Sequence, residues 1–191
     1  LETALEQAHE AVELANLWGN ADTIAFGYLT LAEILIALGR FEQARDIFRK
    51  AESYSGEVML FPSFASAMQA ALAKQWIAKP DLDTASRWAE STEAGVQGVL
   101  DLGRVLRLAQ VHQVTRKPEA ASTVLDGLLT FASSKNLTPW VIRGKALRAL
   151  VWAGEGSRAE ALTMLEETLA LAEPQGDVRS FVDMGPELGD L

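Results

Sequence analysis

The feature that most constrains this sequence is a long-period recurrence of alanine. Alanines recur at separations of 40, 41, 36 and 40 residues, at Ala4, Ala44, Ala85, Ala121 and Ala161. A second set stands twelve residues before the last four, at Ala32, Ala73, Ala109 and Ala149. A period of about 20 to 50 residues is typical of repeat proteins, in which a unit buries its apolar face only by stacking on its neighbours.

Each repeat is predicted to be a pair of helices. Between breaks that contain Gly, Pro or Asn, apolar residues recur at every third or fourth position, and β-branched runs are short. This pattern predicts nine helices, at Leu1–Trp18, Asp22–Leu38, Phe41–Tyr54, Ser63–Ala78, Leu82–Glu93, Gly103–Val114, Pro118–Ser134, Thr138–Trp152 and Arg158–Ala172. We therefore expect an all-α fold, a right-handed α-solenoid of antiparallel helix pairs with long-period tetratricopeptide-like repeats.

The predicted domain organisation follows from the repeat. Residues 1–176 are assigned to the superhelix, with about four and a half helix pairs, and residues 177–191 to a C-terminal segment that leads to a further domain. The helical pattern is already under way at Leu1, without a methionine or a cap before it. We therefore expect the chain to be part of a longer protein. Exposed apolar ends of such a repeat also predict self-association.

Composition argues against several classes of function. The 26 acidic and 17 basic side chains give a formal net charge of -9, which repels phosphate backbones and anionic lipid head groups. The longest apolar run, residues 24–39, contains Glu33 and is shorter than the roughly 20 residues that span a bilayer. The absence of cysteine excludes thiolate chemistry. We expect a cytoplasmic domain that contacts neither membrane nor nucleic acid directly.

No pattern of catalytic residues is present in the sequence. The two histidines, His9 and His112, lie on different repeats without a neighbouring acid or nucleophile at a useful spacing. His112 stands three residues after a packing alanine, so we interpret it as a packing residue and His9 as a surface residue. We expect a protein that is not an enzyme and that holds neither metal nor cofactor.

The most specific motif lies near the C-terminus. From Leu171 to Gly185 the chain reads LAEPQGDVRSFVDMG. This stretch resembles a recurrent signature of the large ATP-dependent LuxR-type transcription regulators, the maltose-activator family. In that family a tetratricopeptide-like superhelix ends in Leu-Ala-Glu-Pro-x-Gly, followed by Arg-x-Phe-Val-Asp-x-Gly. The stretch from Gly39 to Ala44, with Phe48 and Ala51 following, resembles the turn and second helix of a tetratricopeptide repeat.

The resemblance implies a function. Such regulators carry a P-loop ATP-binding module, then the superhelical sensor, then a DNA-reading helix-turn-helix. This chain contains no Gly-x-x-x-x-Gly-Lys-Ser/Thr loop, so the resemblance covers the sensor alone. It implies an effector-sensing and oligomerisation domain that binds a small inducer or a partner protein, while a C-terminal domain of the full-length protein contacts DNA. The alternative is a tetratricopeptide-type scaffold that binds a peptide or protein partner.

The first-helix alanines also predict a binding face. If they face their partner helices, the residues one position further on, turned by about 100°, line an inner groove, and positions about a turn away extend it. This places one set of polar and apolar residues there, which we call the inner-face residues: Phe26, Glu33, Lys74, Leu106, Gln110 and Arg143. Apolar walls with a few polar groups suit a small molecule or peptide. The alternative is that Glu33 and Lys74 form a salt bridge between repeats, without any ligand.

Tryptophans offer a second candidate site. Trp18 and Trp140 lie near the predicted edges between repeats, where an exposed indole ring can stack on a ligand. Trp76 and Trp152 occupy the same repeat position as His112 and are interpreted as packing residues. The edge tryptophans are therefore the alternative to the inner face.

Overall fold

The computed structural model describes residues 1–57, 62–79 and 81–191. Over these ranges the chain forms α-helices, short 3-10 turns and loops, and no strand. The α-helices are α1 Glu2–Trp18, α2 Ala21–Ala37, α3 Phe41–Glu57, α4 Pro62–Ala78, α5 Leu82–Ser91, α6 Leu102–Val114, α7 Pro118–Ser134, α8 Thr138–Gly154, α9 Arg158–Ala172 and α10 Arg179–Val182. The nine predicted helices are confirmed, with ends within three residues of those observed, and α10 was not predicted.

The turns between helices have local causes. Asn20 caps α2, because its Oδ1 accepts a hydrogen bond from the backbone N–H of Thr23 at 2.9 Å. The turn before α9 contains Gly156 with φ 87°, a left-handed conformation that glycine adopts without strain. Arg116 and Asn136 take positive φ angles of 57° and 54° in the turns before α7 and α8. Pro118 then starts α7, where its missing N–H costs nothing.

The contacts divide the chain into two compact units, Leu1–Asp81 and Leu82–Leu191. In the first unit α2 packs against α1, α3 and α4. In the second unit α6 packs against α5, α7 and α8, and α8 also packs against α9. Within each unit a first helix therefore contacts the second helices on either side of it and the next first helix. This is the packing that tetratricopeptide-like hairpins use to share one core.

The alanines that define the repeat are confirmed as packing residues. Eight of them have 0% exposure, namely Ala32, Ala44, Ala73, Ala85, Ala109, Ala121, Ala149 and Ala161. A methyl side chain lets two helix axes approach closely, which is why this residue type recurs at these positions. Ala4, the first of the series, is half-buried on α1.

Ion pairs link successive repeats within each unit. Arg40, in the turn before α3, contacts Glu2 of α1 at 2.6 Å, and Lys79, after α4, contacts Glu42 of α3 at 2.9 Å. The hydrogen bond from Lys79, with Arg45 close by, lowers the pKa of the Glu42 carboxyl. In the second unit Lys117, before α7, contacts Glu90 of α5 at 3.3 Å. These pairs are exposed, so their effect on stability is small.

Candidate functional site

The chain after α9 folds back onto its own unit. It turns at Gly176, with φ 62°, forms α10, and ends in a 3-10 turn at Pro186–Leu188. Both α10 and this turn contact α8. We call residues 177–188 the C-terminal strap. The stretch that the sequence assigned to a separate segment, residues 177–191, thus lies within the second unit.

One side of the strap is buried. Ser180, Met184 and Leu188 recur at every fourth residue and are 1%, 8% and 6% exposed. On the opposite side Val178 and Val182 are 69% and 63% exposed. The strap therefore uses a regular set of three side chains as anchors, and the spacing is that of one helical face even though the backbone is only partly helical.

Two of the predicted inner-face residues hold these anchors. Arg143 Nε, on α8, donates a hydrogen bond to Ser180 Oγ at 3.1 Å. Ser180 Oγ in turn donates to Asp177 Oδ2 at 2.7 Å, and the Ser180 N–H donates to Asp177 Oδ1 at 3.1 Å. Gln110 Nε2, on α6, donates a weak hydrogen bond to Met184 Sδ at 3.4 Å. Gln110 and Arg143 thus each make one directional contact to the strap.

Neighbouring side chains fix the orientation of these two polar groups. The Arg143 guanidinium lies over the Trp140 ring, with its central carbon 4.9 Å from the ring centroid, a cation–π arrangement. Gln110 is buried, and its Oε1 accepts a hydrogen bond from Arg107. Trp140 and Arg143, which the sequence placed in two alternative sites, are therefore adjacent on α8.

The remaining predicted site residues fall in separate places. Phe26, Glu33 and Lys74 belong to the first unit, where Phe26 packs edge-to-face on Phe64 with ring centroids 5.5 Å apart. Leu106 is buried in the core of the second unit. Trp18 is 79% exposed at the end of α1. Ligand binding by any of these residues stays a prediction.

Sequence reasoning missed the strap residues. Asp177, Ser180 and Met184 lie in the motif that resembled the regulator family and Leu188 lies just beyond it, but residues 177–191 were interpreted as a segment that leads to another domain. The four-residue spacing of the three anchors was the available signal. It is too short a run to be separated from chance by periodicity alone.

The two histidines differ in their exposure to solvent. His9 is exposed, as predicted, and His112 is half-buried on α6. His112 Nδ1 is buried and has no hydrogen-bond partner among the described residues. Burial, with a smaller effect from the Lys117 ammonium, lowers the pKa of His112 below its usual value. Within the described ranges no group of three or more acidic or histidine side chains is arranged to hold a metal ion.

The lowered pKa predicts a pH effect on stability. Below about pH 6.5 the unfolded chain binds a proton at this histidine more readily than the folded chain does. We therefore expect the free energy of unfolding to decline as the pH falls below about 6.5, and this contribution to level off once the pH is below the folded pKa. Urea unfolding at about pH 7.5 and 5.5 measures the slope. The His112→Gln variant should show a smaller decline, and an equal decline would contradict the assignment.

A comparison with protein families identifies the family of this chain. The model of the MalT-like TPR region, a tetratricopeptide-repeat family, matches residues 1–191. The chain belongs to this family. The predicted MalT-type tetratricopeptide-like region is thereby confirmed, and the matched range includes the strap. Among the described helices of this MalT-like domain, none is both long and apolar enough to cross a membrane.

A solved structure shares the fold. A crystal structure of a Podospora anserina protein, described as a kinesin light chain with nearly identical TPR-like repeats, matches with a TM-score of 0.59. The match covers 92% of this chain and 89% of that chain at 17% sequence identity. At this identity the likeness supports the tetratricopeptide-like fold alone. No curated protein sequence matches this MalT-like chain.

Proposed function

We propose that this MalT-like repeat domain is the effector-sensing and oligomerisation domain of a LuxR-type ATP-dependent transcription regulator. In this proposal it works by binding a small inducer or a partner protein on its first helices, without catalysis. The observation that supports it best is the way Gln110 and Arg143 hold the strap. Two polar side chains on neighbouring helices each orient a bound segment by one contact, while apolar anchors are buried beside them.

The first unit offers a comparable face for a ligand. Phe26 and Glu33 are seven residues apart on α2, so they lie on one side of that helix. Both are exposed, and Phe26 is supported by the buried ring of Phe64. Lys74, on α4, is half-buried. An aromatic ring with a carboxylate on the same side of the helix suits an amphipathic or sugar-like molecule, whose apolar face covers the ring while its polar groups are hydrogen-bonded.

This face predicts which variants lose binding. A thermal-shift screen of mono- and oligosaccharides and short peptides would identify compounds that raise the melting temperature. For each such compound, Phe26→Ala and Lys74→Ala should each raise Kd by about 5- to 10-fold, since each removes one contact worth about 1 kcal/mol. Titration calorimetry measures this, with Lys135→Ala as a control on the exposed end of α7.

The outcome also tests the alternative site. Unchanged Kd values in both variants, together with a clear loss in Trp18→Ala, would move the site from the inner face to the end of α1. A lower melting temperature of the ligand-free Lys74→Ala variant would instead indicate a structural role for that lysine. The Phe26 variant remains informative in that case, because its ring is partly exposed.

A peptide-binding scaffold is the second candidate function. It is favoured by one observation, that the face of α8 already carries a polypeptide segment. If every compound found by the screen is a peptide, the scaffold proposal is preferred, and small-molecule binding favours the sensor. In either case we propose that DNA contact by a full-length regulator belongs to a domain outside these residues and that the protein acts in the cytoplasm.

A further inference from the structure

We infer that the C-terminal strap is a built-in occupant of the α6–α8 face, and that a partner segment with the same three anchors displaces it. This inference rests on the proposed function, because it assigns the inner face of the second unit to peptide recognition. It adds a regulatory step that ligand binding alone does not require. At rest the face is closed by the chain's own residues 177–188.

The strap supplies a hydrogen-bond acceptor to both Arg143 and Gln110. Ser180 Oγ accepts the Arg143 hydrogen bond, and Met184 Sδ accepts that of Gln110. Met184 and Leu188 bury their apolar side chains on the same side. Removing the strap without replacement would expose these apolar groups and leave α6 and α8 with an open apolar surface, which costs free energy in proportion to its area. Exchange for another segment avoids that cost.

The strap is held by few contacts. Its helix, α10, is four residues long, and the anchors are three side chains. α7, in contrast, buries Val124, Leu125, Leu128 and other residues along 17 residues. Segments with few buried contacts open at a lower free energy than the elements they cover. The strap can therefore leave while the hairpins stay folded.

Glycines lie just before the strap and between two of its anchors. Gly176 and Gly185 have φ angles of 62° and 99°, and glycine tolerates these and many other conformations. Beyond the strap, Arg158 Nη2 donates to the carbonyl oxygens of Asp190 and Leu191 at 3.2 and 2.7 Å. These contacts are exposed, so water can replace them at small cost.

The competitor of the strap is a partner segment that repeats the strap's anchor pattern. It presents an oxygen that accepts the Arg143 hydrogen bond, an unbranched apolar side chain four residues later beside the Gln110 amide, and a second apolar side chain four residues after that. Because the strap is tethered, its effective concentration is in the millimolar range for a short linker. A partner must therefore bind the open face tightly enough to overcome this intramolecular competition.

The main experiment measures capture of the strap sequence in trans. A fluorescein-labelled peptide with the sequence of residues 173–191 is titrated into the full chain and into a chain carrying Met184→Asp and Leu188→Asp. Charged side chains cannot occupy the apolar positions, so the variant's own strap should dissociate. We expect the variant to bind the peptide at least 10-fold more tightly than the unmodified chain does, measured by fluorescence anisotropy.

Two controls establish that the peptide occupies the proposed face. A peptide with the same two Asp substitutions should not bind, and adding Arg143→Ala to the variant chain should weaken peptide binding by about 5-fold. Equal peptide affinity in the variant and the unmodified chain would overturn the inference. So would absence of binding by a variant whose circular dichroism remains fully helical.

If the double variant does not fold, hydrogen exchange on the unmodified chain tests whether the strap opens while the rest of the unit stays folded. The backbone N–H groups of Asp183, Met184 and Leu188 are hydrogen-bonded within the strap. They should exchange at least 100-fold faster than amides in the middle of α8. Equal protection would mean that the strap opens only when the unit unfolds, which overturns the inference. An inducer bound by the first unit would, in that case, leave the proposed function intact.

Discussion

Replacing Ala149 by Arg is expected to destabilise the second unit by about 3 to 5 kcal/mol. Ala149 is fully buried on α8, which packs against both α7 and α9. A guanidinium at this position either stays buried without a counter-ion or forces the helices apart, and both results are costly. The loss is a large part of the roughly 5 to 15 kcal/mol that stabilises a typical domain, so the variant should unfold at a much lower urea concentration.

Urea unfolding followed by circular dichroism measures this loss, with Ala170→Arg as the matched control. Ala170 is exposed on α9, so the same substitution there should change the free energy of unfolding by no more than about 0.5 kcal/mol. If the two variants unfolded at the same urea concentration, the repeat register deduced from the alanines would be wrong. The experiment therefore tests the repeat register predicted from the sequence as well as the burial of Ala149 in the structure.

The alanine recurrence predicted the fold well because its cause is local to each helix pair. A small residue is required wherever two helix axes come close, and that requirement repeats with the unit. Helix ends were predicted closely because Asn20, Pro118 and Gly156 act through short-range capping and turn chemistry. None of these signals depends on what the chain contacts at long range.

The strap could not be predicted in the same way. α10 is four residues long, so it offers no periodicity, and its conformation depends on contacts with α8 that are distant in sequence. The Pro174 and Gly176 pair before it also resembles a linker. For the same reason Gln110 and Arg143 were predicted to be groove residues without any indication that a segment of the chain itself covers them.

Leu106 shows the limit of the helical-wheel argument for the site. It lies three residues before Ala109, so it shares the face of that alanine and is buried with it. Glu33, one residue after Ala32, is exposed as the wheel argument requires. A rotation of about 100° places Glu33 at the surface, whereas Gln110, at the equivalent position after Ala109, is buried and contacts the strap, and a shift of three residues does not move a side chain off the packing face.

The α7–α8 contact gives a second large effect, at Gly144. A Cβ placed on Gly144 would lie 2.8 Å from Leu129 Cδ2 and 2.9 Å from Leu128 Cδ2, closer than packed carbon atoms allow. Gly144→Val adds that Cβ and two methyl groups to a contact that is already full. We expect a loss of about 3 kcal/mol in the free energy of unfolding, since overpacking of this size cannot be relieved by one side chain.

Gly127 provides the control for this prediction. It lies on α7 with no atom within 4 Å of an added Cβ, so Gly127→Val should be close to neutral, with any gain in helix propensity below about 0.5 kcal/mol. Thermal and urea unfolding of the two variants side by side separate packing from propensity. Equal stability of the two would mean that α7 and α8 do not approach as closely at Gly144 as the structure places them. A loss of stability confined to Gly144→Val would support a close approach of α7 and α8 at Gly144. Even an alanine at this position would require both leucines to move.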